Sequence, residues 1–292
     1  MSTATGYAAR DLRLLMVAVL MFGLSWPVSK DALQDASPLW FAVTRGLGGA
    51  VVVGLLMLWL GRLSLPGRRD WPTVLSLAVF QLGGFFALTH LALALVPAGR
   101  TAVLSNVTAI WLVPLSVWLF AETLSAWRLA SIGAGLAGVV LLTGPWAVDW
   151  SDGGAVLGHA LLLGAGLSWS IAIVIVRRFP PERPVAELLP FSFGLGALLL
   201  CALALWREPA GGIGPGALWQ ALFVALVAAP LGTWSVVESG RRLPGAVASA
   251  GFLLVPVVGV TLAAIWLGEA ITWDLVAGGV LIALGMWWAA KR

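Results

Sequence analysis

Charged side chains are scarce in this sequence of 292 residues. Lys, Arg, Asp and Glu make up 10% of the chain, whereas 60% of the residues are hydrophobic. Soluble globular domains carry about 25% charged residues, so this composition excludes a water-soluble fold. The net charge of +4 is also too small for a nucleic-acid-binding surface, and we expect no nucleic-acid partner.

Cysteine and histidine are nearly absent as well. The single cysteine, Cys201, excludes an internal disulfide. With only two histidines, His90 and His159, the apolar segments offer no metal-ligand cluster, no catalytic serine–histidine pair and no phosphate-binding glycine loop. We therefore expect no catalytic residues, no metal and no cofactor, and an intramembrane enzyme is only a remote alternative.

Long apolar runs make up most of the chain. A membrane-spanning helix needs about 20 apolar residues, and Pro-Gly and charged clusters, which cannot lie in hydrocarbon, separate ten such runs. The first run has no small-residue cleavage site before Lys30, which favours a retained helix over a signal peptide. The predicted spans cover about residues 12–29, 39–60, 73–95, 98–120, 127–145, 155–176, 187–206, 217–238, 245–267 and 273–289.

The positions of the cations predict which way the spans face. With the amino terminus placed in the cytoplasm, 13 of the 17 Lys and Arg residues fall on the cytoplasmic side. Three fall outside, namely Lys30, Arg100 and Arg207, and Arg45 lies within the second span. By the positive-inside rule, both termini of a multi-pass membrane protein are predicted to be cytoplasmic.

The two halves of the chain are weakly similar. Gly23-Leu24-Ser25-Trp26 in span 1 recurs as Gly166-Leu167-Ser168-Trp169 in span 6. At a spacing of 147 residues, an ordered set matches without a gap across spans 4–5 and 9–10, pairing Pro97 with Pro244, Leu115 with Leu262, Glu122 with Glu269, Ala130 with Ala277 and Gly138 with Gly285. Residues 1–150 and 151–292 are thus predicted to be two five-helix repeats.

An odd number of spans in each repeat inverts the second copy in the membrane. The predicted fold is therefore an all-α integral membrane protein of ten transmembrane helices in two inverted five-helix repeats. Inverted repeats are typical of secondary transporters, which alternate access to a midplane site. A duplication kept only for stable packing is the alternative.

In order and spacing, these motifs resemble the drug/metabolite transporter superfamily, in its ten-helix EamA-type branch. The resemblance rests on the run from Gly23 to Lys30, on Ser37-Pro38-Leu39 with Arg45 seven residues after the proline, on Pro97-Ala98-Gly99, and on Pro256 with Leu267-Gly268-Glu269. It implies cytoplasmic termini, inverted repeats and export of small metabolites. One departure is Ala109, which stands thirteen residues before Glu122 where the family has proline. Pro114 follows five residues later, so a displaced bend is expected in span 4.

The scarcity of ionisable groups within the spans also limits the cargo, because such groups are costly in a membrane and mark function. Span 1 has no acidic residue between Asp11 and Asp31, which disfavours the proton-for-cation exchange of small multidrug members. Arg45 alone is too little for a phosphorylated sugar. The abundance of Trp and Phe near the helix middles resembles that of bacterial exporters of aromatic and other neutral amino acids.

We therefore expect export of small neutral metabolites, above all aromatic or hydrophobic amino acids, through a midplane cavity. Export of lipophilic drugs or nucleosides, with or without proton coupling, remains the alternative. The expected partners are the small-molecule substrate and the lipid bilayer, and the chain is expected to be a monomer or a weak dimer.

Polar and aromatic residues inside the spans are the candidate substrate contacts. An amide can bind the carboxylate and the ammonium group of an amino acid, and an indole face can stack on a ring or an ammonium group. The candidates are Ser25, Trp26, Gln81, Phe85, His90, Asn106, Ser168, Trp169 and Trp234.

Two of the titratable residues are candidates for proton coupling. They are His90 and Glu238, although Glu238 could instead pair with Arg241 or Arg242. Each serine could bond to a carbonyl of its own helix. Arg45 is expected to bond backbone carbonyls or to extend towards the interface.

Overall fold

The computed structural model describes residues 9–123, 125–243, 247 and 251–289, and every regular element in these residues is helical. Eight of the helices are long and apolar enough to cross a membrane, and two further apolar helices are shorter. In chain order they are α1 Ala9–Ala32, α2 Pro38–Trp59, α3 Trp71–Leu95, α4 Ala98–Phe120, α5 Ala126–Thr143, α6 Gly153–Arg178, α7 Val185–Arg207, α8 over residues 218–242, α9 Leu254–Leu267 and α10 Trp273–Ala289.

The ends of α1 to α7 and of α10 lie within three residues of the predicted ends. Local chemistry explains several of them. Pro38 occupies the first turn of α2, where a missing N–H costs nothing. The Asp152 carboxylate caps α6 by accepting from the Gly154 amide at 2.8 Å. The predicted start of the ninth span, at residue 245, lies outside the described residues.

Three helices are interrupted by irregular backbone. α3 contains the π-helical stretch Leu77–Gly84, and α8 contains a second one, Val224–Ala228. α4 is broken by turns at residues 105–108. Pro114 lies inside the regular helix that follows this break, so the break in α4 precedes the proline at which a bend was expected.

Several of these irregular positions recur 147 residues apart, which is the spacing of the sequence match. The π-helical stretches begin at Leu77 and at Val224. The left-handed residues that end α4 and α9 are Ala121, with φ of 49°, and Gly268, with φ of 68°. The two halves thus resemble each other more clearly in these backbone features than in their amino-acid sequences.

Small residues let two pairs of helices approach closely. α2 packs on α7 through Gly46 and Gly49, where a Cβ atom would lie 3.0 Å from Ala197 and 2.8 Å from Phe193. α5 packs on α10 in a similarly close contact at Gly138, where a Cβ atom would lie 2.7 Å from Ile282. Close backbone contact between small residues is the usual way in which helices associate in a bilayer, where van der Waals packing replaces the hydrophobic effect.

Polar contacts join the helices at the end of the bundle where α3 begins, which we call the Asp70 end. Asp70 accepts from the amides of Gly67 and Glu182, both at 2.9 Å, and lies 3.7 Å from the Arg183 guanidinium. Burial alone would raise the pKa of Asp70, but these hydrogen bonds and the Arg183 charge together lower the pKa below its usual value. Arg69 pairs with Glu182 at 2.8 Å at the same end.

The opposite end, where α1 finishes, is called the Lys30 end. The Lys30 ammonium donates to the carbonyl oxygens of Leu93 and Val96 at 2.6 and 3.1 Å. The Glu208 carboxylate accepts from the Leu39 amide at 3.0 Å. These bonds join α1, α3, α2 and the residue that follows α7.

The α5–α10 contact gives a test of the packing. A Cβ atom on Gly138 would lie 2.7 Å from Ile282 and 2.8 Å from the Gly278 carbonyl oxygen, whereas Gly133 in the same helix has open space. Gly138→Ala should therefore destabilise the protein by about 1–3 kcal/mol through overpacking. Gly133→Ala is the matched control, because both changes gain the same helix propensity of roughly 1 kcal/mol. Thermal unfolding in detergent measures the difference, and equal midpoints for the two variants would contradict this packing.

Candidate functional site

A row of aromatic rings connects α6, α3 and α2 inside the bundle. The Trp169 ring contacts Phe85 edge-on, with centroids 4.8 Å apart, and Phe85 contacts Phe86 at 5.3 Å. Phe86 contacts His90 at 5.9 Å, and His90 contacts Phe41 at 5.6 Å. We call these five residues the aromatic row. The structure thus brings together three of the predicted site residues, namely Phe85, His90 and Trp169.

The aromatic row depends on the backbone just before it. Phe85 directly follows the π-helical stretch of α3, and π-helical turns occur frequently at functional sites. The Ser168 hydroxyl of α6 donates to the Phe80 carbonyl oxygen in that stretch at 2.7 Å. Gly84 permits this approach, because a Cβ atom there would lie 2.5 Å from the Ser168 hydroxyl oxygen. Ser168, a predicted substrate contact, therefore holds α6 against α3.

A second irregular segment is also joined to α6. The Ser170 hydroxyl has two acceptors, the Gly166 carbonyl oxygen of its own helix at 2.8 Å and the Thr108 carbonyl oxygen, at the end of the break in α4, at 3.2 Å. Within that break, Asn106 donates through Nδ2 to the Ala102 carbonyl oxygen at 2.7 Å. Its side-chain oxygen accepts no hydrogen bond from the described residues, and Asn106 is only half-buried. Asn106 thus keeps an acceptor for a ligand, while Ser170, absent from the sequence prediction, is structural.

Arg45 lies on the aromatic row. Its guanidinium carbon is 4.1 Å from the centroid of the Phe86 ring, and the residue is 5% exposed. The predicted bonds from Arg45 to backbone carbonyls are not found among the described residues, where its Nε is buried without a partner. The alternative, extension of the side chain towards the interface, stays a prediction. The Arg45 side chain lies against α3 at the level of the predicted site.

The remaining predicted contacts lie apart from the aromatic row. Ser25 donates to the Met21 carbonyl oxygen of its own helix at 2.7 Å. Trp26 lies beside Gly259 of α9, and its Nε1 is buried without a hydrogen-bond partner among the described residues. Gln81 and Trp234 are half-buried, and no ring contact or hydrogen bond within the described chain joins either of them to the row.

Glu238, Trp118 and Trp266 also lie apart from the aromatic row. Arg242 donates through Nε to the Glu238 carboxylate at 2.7 Å, which is one of the pairings that the sequence left open. Trp118 is 78% exposed on the outside of the bundle, and Trp266 stacks on Trp219 with centroids 5.8 Å apart. These two tryptophans therefore do not line the interior.

Glu269 is one of the residues that join the two halves at the Lys30 end. Its carboxylate accepts from the Ala98 amide at 2.6 Å and from the Gly99 amide at 2.8 Å, the first two amides of α4. Nearby, Arg100 forms an ion pair with Asp274 at 2.8 Å and donates to the Leu142 carbonyl oxygen at 2.7 Å. We call the Glu269 and Asp274 contacts together the outer latch, after the side of the membrane that the cation count predicts for the Lys30 end.

Glu122 occupies the matching position in the first half but has different partners. It pairs with Arg128 at 2.6 Å and also with Arg177 of α6. Glu269 caps a helix across the halves, and Glu122 forms an ion pair across them.

Comparison with known proteins gives a family and a fold. The model of the EamA-like transporter family matches twice, over residues 12–144 and 156–290. The uncharacterized transporter YvbV of Bacillus subtilis is 28% identical, covering 94% of this chain and 89% of that protein. A probable amino-acid metabolite efflux pump of Salmonella typhimurium is 29% identical, covering 95% and 94%. A solved crystal structure matches with a TM-score of 0.67 over 97% of both chains at 20% identity, which shows the fold alone.

The outer latch can be tested by removing the Glu269 carboxylate. Glu269→Ala leaves two amides of α4 without their acceptor, which should cost about 1–3 kcal/mol and loosen the Lys30 end. In a Cys201→Ala background, Leu93→Cys reports on this end because Leu93 is buried against Trp26 and Ala98. A membrane-impermeant maleimide should label this cysteine several-fold faster in the Glu269→Ala variant. Asp149→Ala, in an exposed loop, should leave the rate unchanged, and equal rates in all three proteins would exclude the latch.

Proposed function

Because this chain belongs to the EamA-like transporter family, we propose that it exports small neutral metabolites, above all aromatic or hydrophobic amino acids, by alternating access. The observation that carries the proposal is the aromatic row, whose Trp169 precedes the Ser170 that contacts the end of the break in α4. Ring faces and edges bind apolar and aromatic side chains. Polar groups come from His90 within the row, from Arg45 over Phe86, and from Asn106 in the break of α4. The relatives named as probable amino-acid metabolite efflux pumps support the same cargo.

The polar contacts at the bundle ends support the predicted orientation. Those at the Asp70 end join residues that the cation count places in the cytoplasm, such as Arg69 with Glu182. Those at the Lys30 end join residues placed outside, such as Arg100 with Asp274. We infer that the Asp70 end faces the cytoplasm of a bacterial inner membrane, that the Lys30 end faces outward, and that both termini are cytoplasmic.

The paired features of the two halves support two inverted five-helix repeats, residues 1–150 and 151–292. The family model matches each half once. The π-helical stretches and the left-handed helix ends recur at the same spacing. Such repeats exchange conformations about a pseudo-two-fold axis in the membrane plane, which makes one site accessible from each side in turn.

In the mechanism we propose, the substrate enters from the Asp70 end and binds at the aromatic row. Export then requires the outer latch to open, which separates Glu269 from the first turn of α4. The interruptions in α3, α4 and α8 let helix halves move without breaking the regular segments on either side. Arg100 and Asp274 are buried, so their separation needs water to enter that end as it opens.

Binding to purified protein tests the cargo. Ligands that bind the folded state raise its stability, by about 2.7 kcal/mol at 100 times Kd, so phenylalanine or tryptophan should raise the unfolding temperature. Trp169→Ala should weaken this binding about tenfold, since loss of a ring contact of roughly 1.4 kcal/mol corresponds to that factor. The matched control is Trp118→Ala, which removes an indole that faces away from the interior.

The same assay separates the two classes of cargo. Stabilisation by lipophilic drugs or nucleosides but not by amino acids would overturn the amino-acid assignment and leave the exporter. Equal binding in wild type and Trp169→Ala would remove the aromatic row from the site.

Transport in proteoliposomes tests proton coupling. If His90 carries a proton, a pH gradient should accelerate amino-acid flux, and His90→Gln should abolish that acceleration. Glu238→Gln tests the second coupling candidate in the same way. The Glu238 carboxylate accepts a hydrogen bond from Arg242 at the Asp70 end. Flux that is identical with and without the gradient would instead mean facilitated diffusion.

A further inference from the structure

Arg45 is a buried cation for which the described part of the chain supplies no anion. It is 5% exposed, and no carboxylate of a described residue forms an ion pair with it. Its Nε is buried without a hydrogen-bond partner. Pro38, the first residue of α2, is seven residues away, so Arg45 lies about 10 Å into the helix from the Lys30 end.

An unpaired guanidinium at this depth is costly. Arginine stays charged in proteins, and a charge inside a membrane is destabilising unless it is paired. The Phe86 ring stabilises the Arg45 charge through a cation–π contact but satisfies none of its five N–H groups. A bound anion would satisfy both the charge and these donors.

His90 also contacts the Phe86 ring, and its imidazole offers a hydrogen-bond acceptor where Arg45 offers donors. Its Nδ1 lies 2.7 Å from the Phe86 carbonyl oxygen, so Nδ1 carries the proton. In the neutral ring, Nε2 is therefore an acceptor, and it is buried without a partner in the described residues. Arg45 offers donors and His90 offers an acceptor, which suits a ligand that has a carboxylate next to an ammonium group.

The position of Arg45 on the aromatic row indicates how such a ligand would lie. Phe86, under the guanidinium, contacts Phe85, and Phe85 contacts Trp169. The charge therefore lies at the middle of the row, over Phe86, and the apolar rings of Phe85 and Trp169 extend from it towards α6. α2 and α7 pack closely at the neighbouring Gly46, whereas the ring that Arg45 contacts belongs to α3.

We propose that Arg45 binds the carboxylate of the exported solute and makes the site specific for carboxylate-bearing substrates. This inference rests on the proposed function and deepens it, because it assigns the substrate class to one side chain. The ammonium group of an amino acid would then lie towards Nε2 of His90 and the side chain towards Phe85 and Trp169. Bidentate binding by the guanidinium fork fixes the orientation.

Four probes of one shape test the proposal by thermal stabilisation of the purified full chain. Phenylalanine carries both groups, phenylpropionate lacks the ammonium, phenethylamine lacks the carboxylate, and phenylalanine methyl ester blocks it. The two carboxylates should bind wild-type protein at least tenfold more tightly than phenethylamine and the ester. Arg45→Gln should remove this advantage, and Arg45→Lys should keep part of it, since lysine retains the charge but not the planar fork.

The matched control is Arg68→Gln, which removes an exposed cation outside the helices and should leave all four affinities unchanged. Should Arg45→Gln fail to fold, the comparison of the four probes on wild-type protein still decides. Equal binding of phenylalanine and phenethylamine, or an undiminished carboxylate preference in Arg45→Gln, overturns the proposal and leaves amino-acid export standing. Arg45-dependent binding of phenylpropionate without any binding of amino acids supports Arg45 and overturns the amino-acid assignment.

Discussion

The absence of water from the bilayer core is the constraint on which this structure depends. Every backbone N–H and C=O in hydrocarbon must be bonded within the protein, so the spans are helices and irregular backbone survives only where protein surrounds it. The π-helical stretch of α3 and the break in α4 meet this condition through the serines of α6, which donate to the carbonyl oxygens of Phe80 and Thr108. The same two segments border the candidate site, because backbone that departs from a regular helix needs neighbours on several sides.

Sequence alone predicted the helices well and the site in part. Charges, prolines and glycines fix where a span can end, so the ends of most helices fell within three residues. The π-helical stretch Leu77–Gly84 was missed because its residues are as apolar as a regular span, with only Gly83 and Gly84 to mark it. Phe85 and His90 could be chosen from the sequence because they lie inside one predicted span, whereas Phe86 was not among the predicted contacts. Their contacts with Trp169 and Arg45 depend on which helices are neighbours, which no local pattern encodes.

Residues at matching positions of the two halves can be of the same type and still have different partners. Glu269 accepts from the amides at the start of α4, whereas Glu122, at the matching position, pairs with arginines of α5 and α6. One carboxylate thus bonds to a helix terminus and the other to cationic side chains. Under the proposed alternating access, this difference in bonding would let the two ends of one bundle adopt different arrangements.

The π-helical stretch of α3 also sets a rotational phase. An α-helix turns by about 100° for each residue, at 3.6 residues per turn, and a π turn accommodates one residue more than an α turn through its i→i+5 bonds. Everything beyond Gly84 is therefore rotated relative to what an uninterrupted helix of the same sequence would give. If the stretch relaxed to regular α geometry, Phe85, Phe86 and His90 would swing together by about a quarter of a turn relative to Trp71–Ser76, and the row would lose its register with Trp169. A change of the stretch between π and α geometry would therefore rotate the second half of α3 about its axis and change which of its side chains face α6, while the order of the helices stays the same.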